Sequence, residues 1–111
     1  MDCVFCKIVS GEIPSGKVYE DGEILAFNDI HPAAPVHILI IPKRHISTLS
    51  DAGDGDAALL GKLLLAAKNL AKEKGVAYSG YRTLINCNRG AGQTVFHLHV
   101  HLLGGKGMGY P

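Results

Sequence analysis

The sequence predicts an α+β domain: a mostly antiparallel five-stranded sheet with one long and one short helix. Three observations carry that expectation. Five short apolar-rich stretches are bounded by turn residues, as strands are. One long helical pattern, over residues 51–74, is the only long crossover between them. A short Cys-bearing turn precedes the first strand. At 111 residues, 47% hydrophobic and 19% charged, the chain suits one compact domain spanning 1–111 with a buried core. Formal net charge is +1 with the Lys and Arg residues scattered, so no basic stripe calls for a nucleic-acid polymer. No apolar run reaches membrane-spanning length and the N-terminus lacks a signal-peptide pattern, so the expected location is cytoplasmic, with no membrane partner.

Residues 2–10 contain Cys3-Val4-Phe5-Cys6. Two cysteines three apart can chelate one metal ion from a single turn, act as a redox pair, or sit as small buried thiols. Gly11 to Gly16 is a turn cluster. Residues 17–20 and 23–27 read as strands joined by Asp21-Gly22, a hairpin signal. Asp29 follows in a polar exit, either as an acceptor for ligand hydroxyls or as a turn residue. Residues 36–42 form the most apolar strand, expected at the centre of the sheet and ended by Pro42. His37 lies at its start, and His45, just past the Pro-Lys turn, is a candidate metal ligand.

In the long helix, Asp54 or Asp56 can cap the start, and Gly75 ends it. Its leucines and alanines cover more than one stripe, which asks for two burial partners: the sheet and a second copy of the chain. Residues 80–87 read as the next strand, followed by a polar glycine-bearing loop over residues 86–93.

The stretch from Gly92 to Gly105 contains His97, His99 and His101 alternating with apolar residues. In an extended strand these three side chains share one face, about 6.5–7 Å apart along the chain, while Phe96, Leu98, Val100 and Leu102 take the other. Two chemistries fit. Three imidazoles can hold a catalytic zinc with water in the fourth position. Alternatively one neutral imidazole attacks phosphorus and its neighbours position charge and protons. The lead-in Gly90-Ala91-Gly92-Gln93-Thr94 favours the second, because glycines let backbone N–H groups approach a phosphate and Thr94 adds a hydroxyl donor.

His97-Leu98-His99-Val100-His101-Leu102-Leu103 resembles the motif of the histidine triad (HIT) superfamily, His-φ-His-φ-His-φ-φ, with Gly92-Gln93-Thr94-Val95 as its usual lead-in. Gly11-Glu12-Ile13-Pro14, Ala26-Phe27-x-Asp29-Ile30, Pro32-Ala33-Ala34-Pro35-x-His37, Ile41-Pro42-Lys43-x-His45 and Leu103-Gly104-Gly105 extend the likeness over nearly the whole chain. Within the superfamily the sequence is most similar to the HINT branch of dimeric nucleotide-binding proteins and nucleoside phosphoramidases.

The resemblance implies a HIT-like fold that dimerises into a continuous sheet and a hydrolase acting on a purine nucleoside monophosphate or its phosphoramidate. By that likeness His99 is the nucleophile, His101 contacts the α-phosphate and His37 is a further active-site histidine. Thr94, Gly92 and Gln93 lie at the phosphate, and Asn86 at the leaving-group end. Asp29 accepts from the ribose hydroxyls, with Ile30, Phe27, Phe5, Ile8 and Ile13 around the base. Bacterial relatives with this Cys-x-x-Cys bind structural zinc, which maps onto Cys3, Cys6, His45 and His97. No organic cofactor is implied. Animal members lack the two cysteines, which implies that the zinc is not part of the chemistry.

Overall fold

The computed structural model describes residues 2–111. In chain order the elements are α1 (Val4–Ser10), β1 (Lys17–Glu20), β2 (Ile24–Asn28), β3 (Val36–Pro42), α2 (Ala57–Glu73), β4 (Tyr81–Leu84) and β5 (Val100–Gly104). The five strands form one sheet in the order β1-β2-β3-β5-β4, with β3 at its centre as expected. Every neighbouring pair is antiparallel. The single long crossover, through α2, places β4 at the edge and lets β5 return beside β3.

The β1–β2 turn follows from Asp21. Its carboxylate accepts from the backbone N–H of Glu23 and of Ile24, so the side chain closes the bend. Helix α1 starts at Cys3, whose thiol accepts from the Cys6 backbone N–H at 3.3 Å, and ends at Gly11 in the left-handed region. The N-cap is therefore itself one of the two cysteines.

Alternation along the strands divides the core in two. Ile24, Ala26, Ile38, Ile40, Val100 and Leu102 face α2, which buries Leu63, Ala67, Leu70 and Ala71 against them. Leu25, Phe27, Leu39 and Ile41 face the other way, onto Phe5 and Ile8 of α1. The second apolar face of α2 stays outside: Leu64 and Leu65 are 48% and 58% exposed.

β4 closes at Leu84 rather than near residue 87, and two further boundaries differ from the sequence expectation. The long helix begins at Ala57 rather than near residue 51, after short 3-10 turns at Leu49–Asp51 and Asp54–Asp56. Asp51 accepts from the backbone N–H of Thr48 and from its hydroxyl, and Asp56 from the Gly53 N–H and from Arg44. Those carboxylates hold the backbone in turns that compete with helix. The histidine segment is also not one strand. Only Val100–Gly104 pairs; His97 lies in a bend and His99 in irregular backbone before it. The facing nevertheless follows the predicted alternation, with Leu98, Val100 and Leu102 in the α2 core and the imidazoles on the α1 side. Among the described residues no helix is long and apolar enough to cross a membrane.

Candidate functional site

On the α1 side of the sheet lies a cavity of about 350 Å3. Its apolar wall comes from Phe5 and Ile8 of α1, Ile13 of the following turn, and Phe27 and Leu39 of the sheet. Asp29, Ile30, Thr94, His99 and His101 complete it. The structure thus gathers nine of the twelve residues named for a nucleotide. Asn86, Gly92 and Gln93 do not line it.

A single row of the sheet runs beneath the cavity. Lys17 pairs with Phe27, Phe27 with Leu39, and Leu39 with His101. Phe5 closes over this row edge-on, its ring 5.4 Å from Phe27 and 5.2 Å from His99.

Hydrogen bonds settle which imidazole nitrogens carry protons. A carbonyl oxygen can only accept, so the 2.7 Å contact from His99 Nδ1 to the His97 carbonyl puts the proton on Nδ1. That leaves a lone pair on His99 Nε2. At His37 the logic starts from the other side. The Ala33 N–H donates to His37 Nδ1 at 2.9 Å, so the neutral ring carries its proton on Nε2. His37 Nε2 lies 2.9 Å from His101 Nδ1, to which it donates, and 3.4 Å from an Asp29 oxygen. His101 then carries its proton on Nε2, which is buried and has no partner. One ring offers an electron pair and its neighbour, 4.9 Å away between ring centres, offers an N–H.

Burial keeps both rings neutral. Desolvation is the main cause lowering the His99 value, opposed by the bond to His97 and by Asp29. His101 is pushed down to about 4, first by burial and then by the neighbouring His99 and His37.

The glycine loop is arranged differently from the sequence expectation. The N–H groups of Ala91, Gly92 and Gln93 donate to Asn88 and Arg89 carbonyls inside the loop rather than toward the cavity. The buried Gln93 side chain accepts from the Asn88 N–H and donates to the Ser47 and Val95 carbonyls. Gly92 adopts φ +95°, which favours glycine, and lies beside the Asn86 amide. The loop braces its successor, Thr94, which does line the cavity.

His97 turns to a second cluster. Its Nε2–H donates to the Pro42 carbonyl at 2.7 Å, leaving Nδ1 bare toward the cysteines. Cys3 Sγ lies 3.4 Å from His97 Nδ1, Cys6 Sγ 3.6 Å from His97 Nδ1 and 3.3 Å from His45 Nδ1, and the two Nδ1 atoms are 3.3 Å apart. With metal–sulfur bonds of about 2.3 Å and metal–nitrogen bonds of about 2.0–2.1 Å, a tetrahedral shell requires S···N near 3.5 Å and N···N near 3.3 Å. The four residues could therefore hold a metal ion with little rearrangement. His45 Nε2, 3.0 Å from the Ser47 hydroxyl, has an outer partner as well. Burial raises the Cys6 thiol value, so binding a cation here releases thiol protons. His97, His99 and His101 do not converge on one point, because His97 belongs to the cysteine group.

Ser15, Asn28 and His31 also line the cavity and were not singled out from the sequence. All three stand in or beside turns, where no periodicity marks a buried face. The only local signal was their position next to Ile13-Pro14 and Asp29.

Comparison with known proteins gives a consistent result. The profile of the HIT domain family matches residues 10–108. The chain is 50% identical over 103 residues to protein HitA of Neisseria gonorrhoeae, covering 93% of this chain and 95% of that protein. It is 45% identical over 108 residues to the purine nucleoside phosphoramidase of Escherichia coli K12, covering 97% and 91%. Among solved structures, a HIT family hydrolase from Legionella pneumophila Philadelphia 1 superposes with a TM-score of 0.97 at 54% identity, covering 99% of this chain and 98% of that one. A histidine triad protein from Clostridium difficile gives 0.96 at 48% identity, covering 100% and 96%.

Proposed function

The chain belongs to the HIT domain family, and from that premise we infer that it is a nucleotide hydrolase. It cleaves P–N or similarly activated bonds of purine nucleoside monophosphate derivatives through a covalent nucleotidyl-histidine. The observation that carries this reading is the proton arrangement: His99 Nε2 holds a lone pair on the cavity wall because Nδ1–H is tied to the His97 carbonyl. The name of the 45% identical Escherichia coli relative supports the substrate class.

In this reading the base lies against Phe5, Ile8, Ile13, Phe27 and Ile30, and the ribose hydroxyls donate to Asp29. Gly92, Gln93 and Asn86 act by holding Thr94 at the phosphate. His99 Nε2 attacks the α-phosphorus and forms the N–P bond as the P–N bond to the amine breaks. An anionic phosphate beside His101 favours its protonated form, so substrate binding loads the His37–His101 pair with one proton. The leaving nitrogen takes that proton and departs as the amine. His101 Nε2–H and the Thr94 hydroxyl stabilise the phosphoryl oxygens. Water then attacks phosphorus, returns one proton to the pair, and releases the nucleoside monophosphate with the His99 lone pair restored.

Zinc fits the Cys3, Cys6, His45 and His97 set, since two thiolates and two imidazoles in a closed tetrahedron suit that ion. Bound there, it supplies a structural clamp between α1 and the segment that carries His99. The whole chain, 1–111, acts as one domain in a homodimer, joined through the outer edge of β4 and the exposed Leu64–Leu65 face, in the cytoplasm. The experiment is hydrolysis of adenosine 5′-phosphoramidate followed by phosphorus NMR. Wild type should yield adenosine monophosphate, and His99→Ala should lose at least about 10³-fold in rate. Normal turnover by His99→Ala contradicts the reading.

A further inference from the structure

Among the described residues, two buried side-chain polar atoms have no hydrogen-bond partner: His101 Nε2 and Ser15 Oγ. Both residues line the same cavity. A buried orphan is uncommon in folded proteins and asks for a reason. His101 has one in the phosphate chemistry above. Ser15 has none yet.

Its position in the fold supplies one. The row Lys17, Phe27, Leu39, His101 crosses the sheet strand by strand. At about 4.8 Å per strand, Lys17 lies on the order of 14 Å from His101. Ser15 enters this end of the row two residues before Lys17, in the irregular segment that leads from Pro14 into β1. The floor between the two orphans is apolar, made of Phe27 and Leu39 with Phe5 edge-on to Phe27. A ligand with an anionic head, a flat apolar body and a polar far edge matches that sequence of surfaces. Resting on the nucleotide reading above, the geometry points to Ser15 as the residue that reads the far edge of the purine ring. Its hydroxyl turns among the staggered χ1 wells to meet a ring nitrogen or exocyclic group. The apolar wall gives affinity without discrimination, and one hydroxyl placed a full bicyclic ring away from the phosphate favours purines. A pyrimidine, one ring shorter, ends before it.

The test compares Ser15→Ala with wild type in direct binding of adenosine 5′-monophosphate and cytidine 5′-monophosphate, together with the melting temperature of the ligand-free protein. The purine nucleotide should bind the variant roughly three- to tenfold more weakly, the scale of one neutral hydrogen bond. Cytidine monophosphate affinity should not change, so the purine preference narrows by the same factor. The ligand-free variant should melt at or above the wild-type temperature, because an unpaired buried hydroxyl has been removed. Equal weakening of both nucleotides, no weakening of either, or a lower melting temperature overturns the role of Ser15. Wild-type protein that binds neither nucleotide overturns the nucleotide reading itself.

Discussion

His97 and His99 lie two residues apart and make opposite use of the same ring. His97 donates through Nε2 and turns Nδ1 to the cysteines, whereas His99 donates through Nδ1 and leaves Nε2 open. Which nitrogen is bare depends on which carbonyl each ring finds, and that is set by the bend before β5. Nothing in the spacing of the motif carries that information, so the pattern alone showed three histidines on one side, and only the likeness to the HIT family drew His97 away to the cysteines. His101 gives a pH signature. Its folded value, about 4, lies below the ordinary histidine value of 6.5. Between those values the unfolded chain binds a proton there that the folded chain does not. Stability must therefore fall as pH drops from 6.5 toward 4. In chemical denaturation across that window, His101→Gln should show a shallower fall, by up to one bound proton. An unchanged slope would mean that His101 titrates normally in the folded protein. Gly104 gives a packing signature. A Cβ there would stand 2.9–3.1 Å from the Val76 side chain, including its own Cβ. Gly104→Ala should cost about 1–3 kcal/mol by overpacking, measured in the same denaturation experiment.

At the scale of elements, α1 joins the two clusters. It supplies Cys6, is capped by Cys3, and presents Phe5 to both His97 and His99 at 5.9 and 5.2 Å between ring centres. Clamping α1 onto the sheet therefore shapes the cavity wall as well as the Cys/His cluster. Cys3→Ser/Cys6→Ser should abolish bound zinc in elemental analysis and lower the melting temperature. Nucleotide affinity should fall too, because Phe5 and Ile8 are no longer held. Zinc retained at full occupancy in that variant would contradict the four-ligand assignment. The strands and the hairpin were legible because apolar alternation and Asp21-Gly22 are local signals. The start of α2 was not, because Asp51 and Asp56 reach back to the Thr48 and Gly53 N–H groups and close two separate 3-10 turns ahead of the helix. The loop before Thr94 was read as an open phosphate cradle, yet its N–H groups close on its own carbonyls. Glycine content marks where backbone can turn, but not what its donors then meet.

The whole molecule leaves two surfaces that a second copy would cover: the outer edge of β4, and Leu64 and Leu65 on α2. Leu64→Glu/Leu65→Glu should shift light-scattering mass from dimer to monomer while circular dichroism stays native. A wild-type monomer at micromolar concentration would contradict the dimer. The fold class was readable because nearly every element carries its own pattern, whereas the two-cluster layout was readable only through the resemblance to the HIT family. Ser15 and His31, in connecting segments, and Asn28, at the end of β2, were not, since such residues acquire a role only when distant strands bring them to one cavity. The central claim concerns one atom, His99 Nε2, and it is tested most directly by trapping. Wild type is mixed with adenosine 5′-phosphoramidate, quenched within one turnover, and mapped by peptide mass spectrometry. An adenylyl group is expected on the peptide containing His99 and is expected to be absent in His99→Ala. An adduct on another residue, or full turnover by His99→Ala, would contradict it.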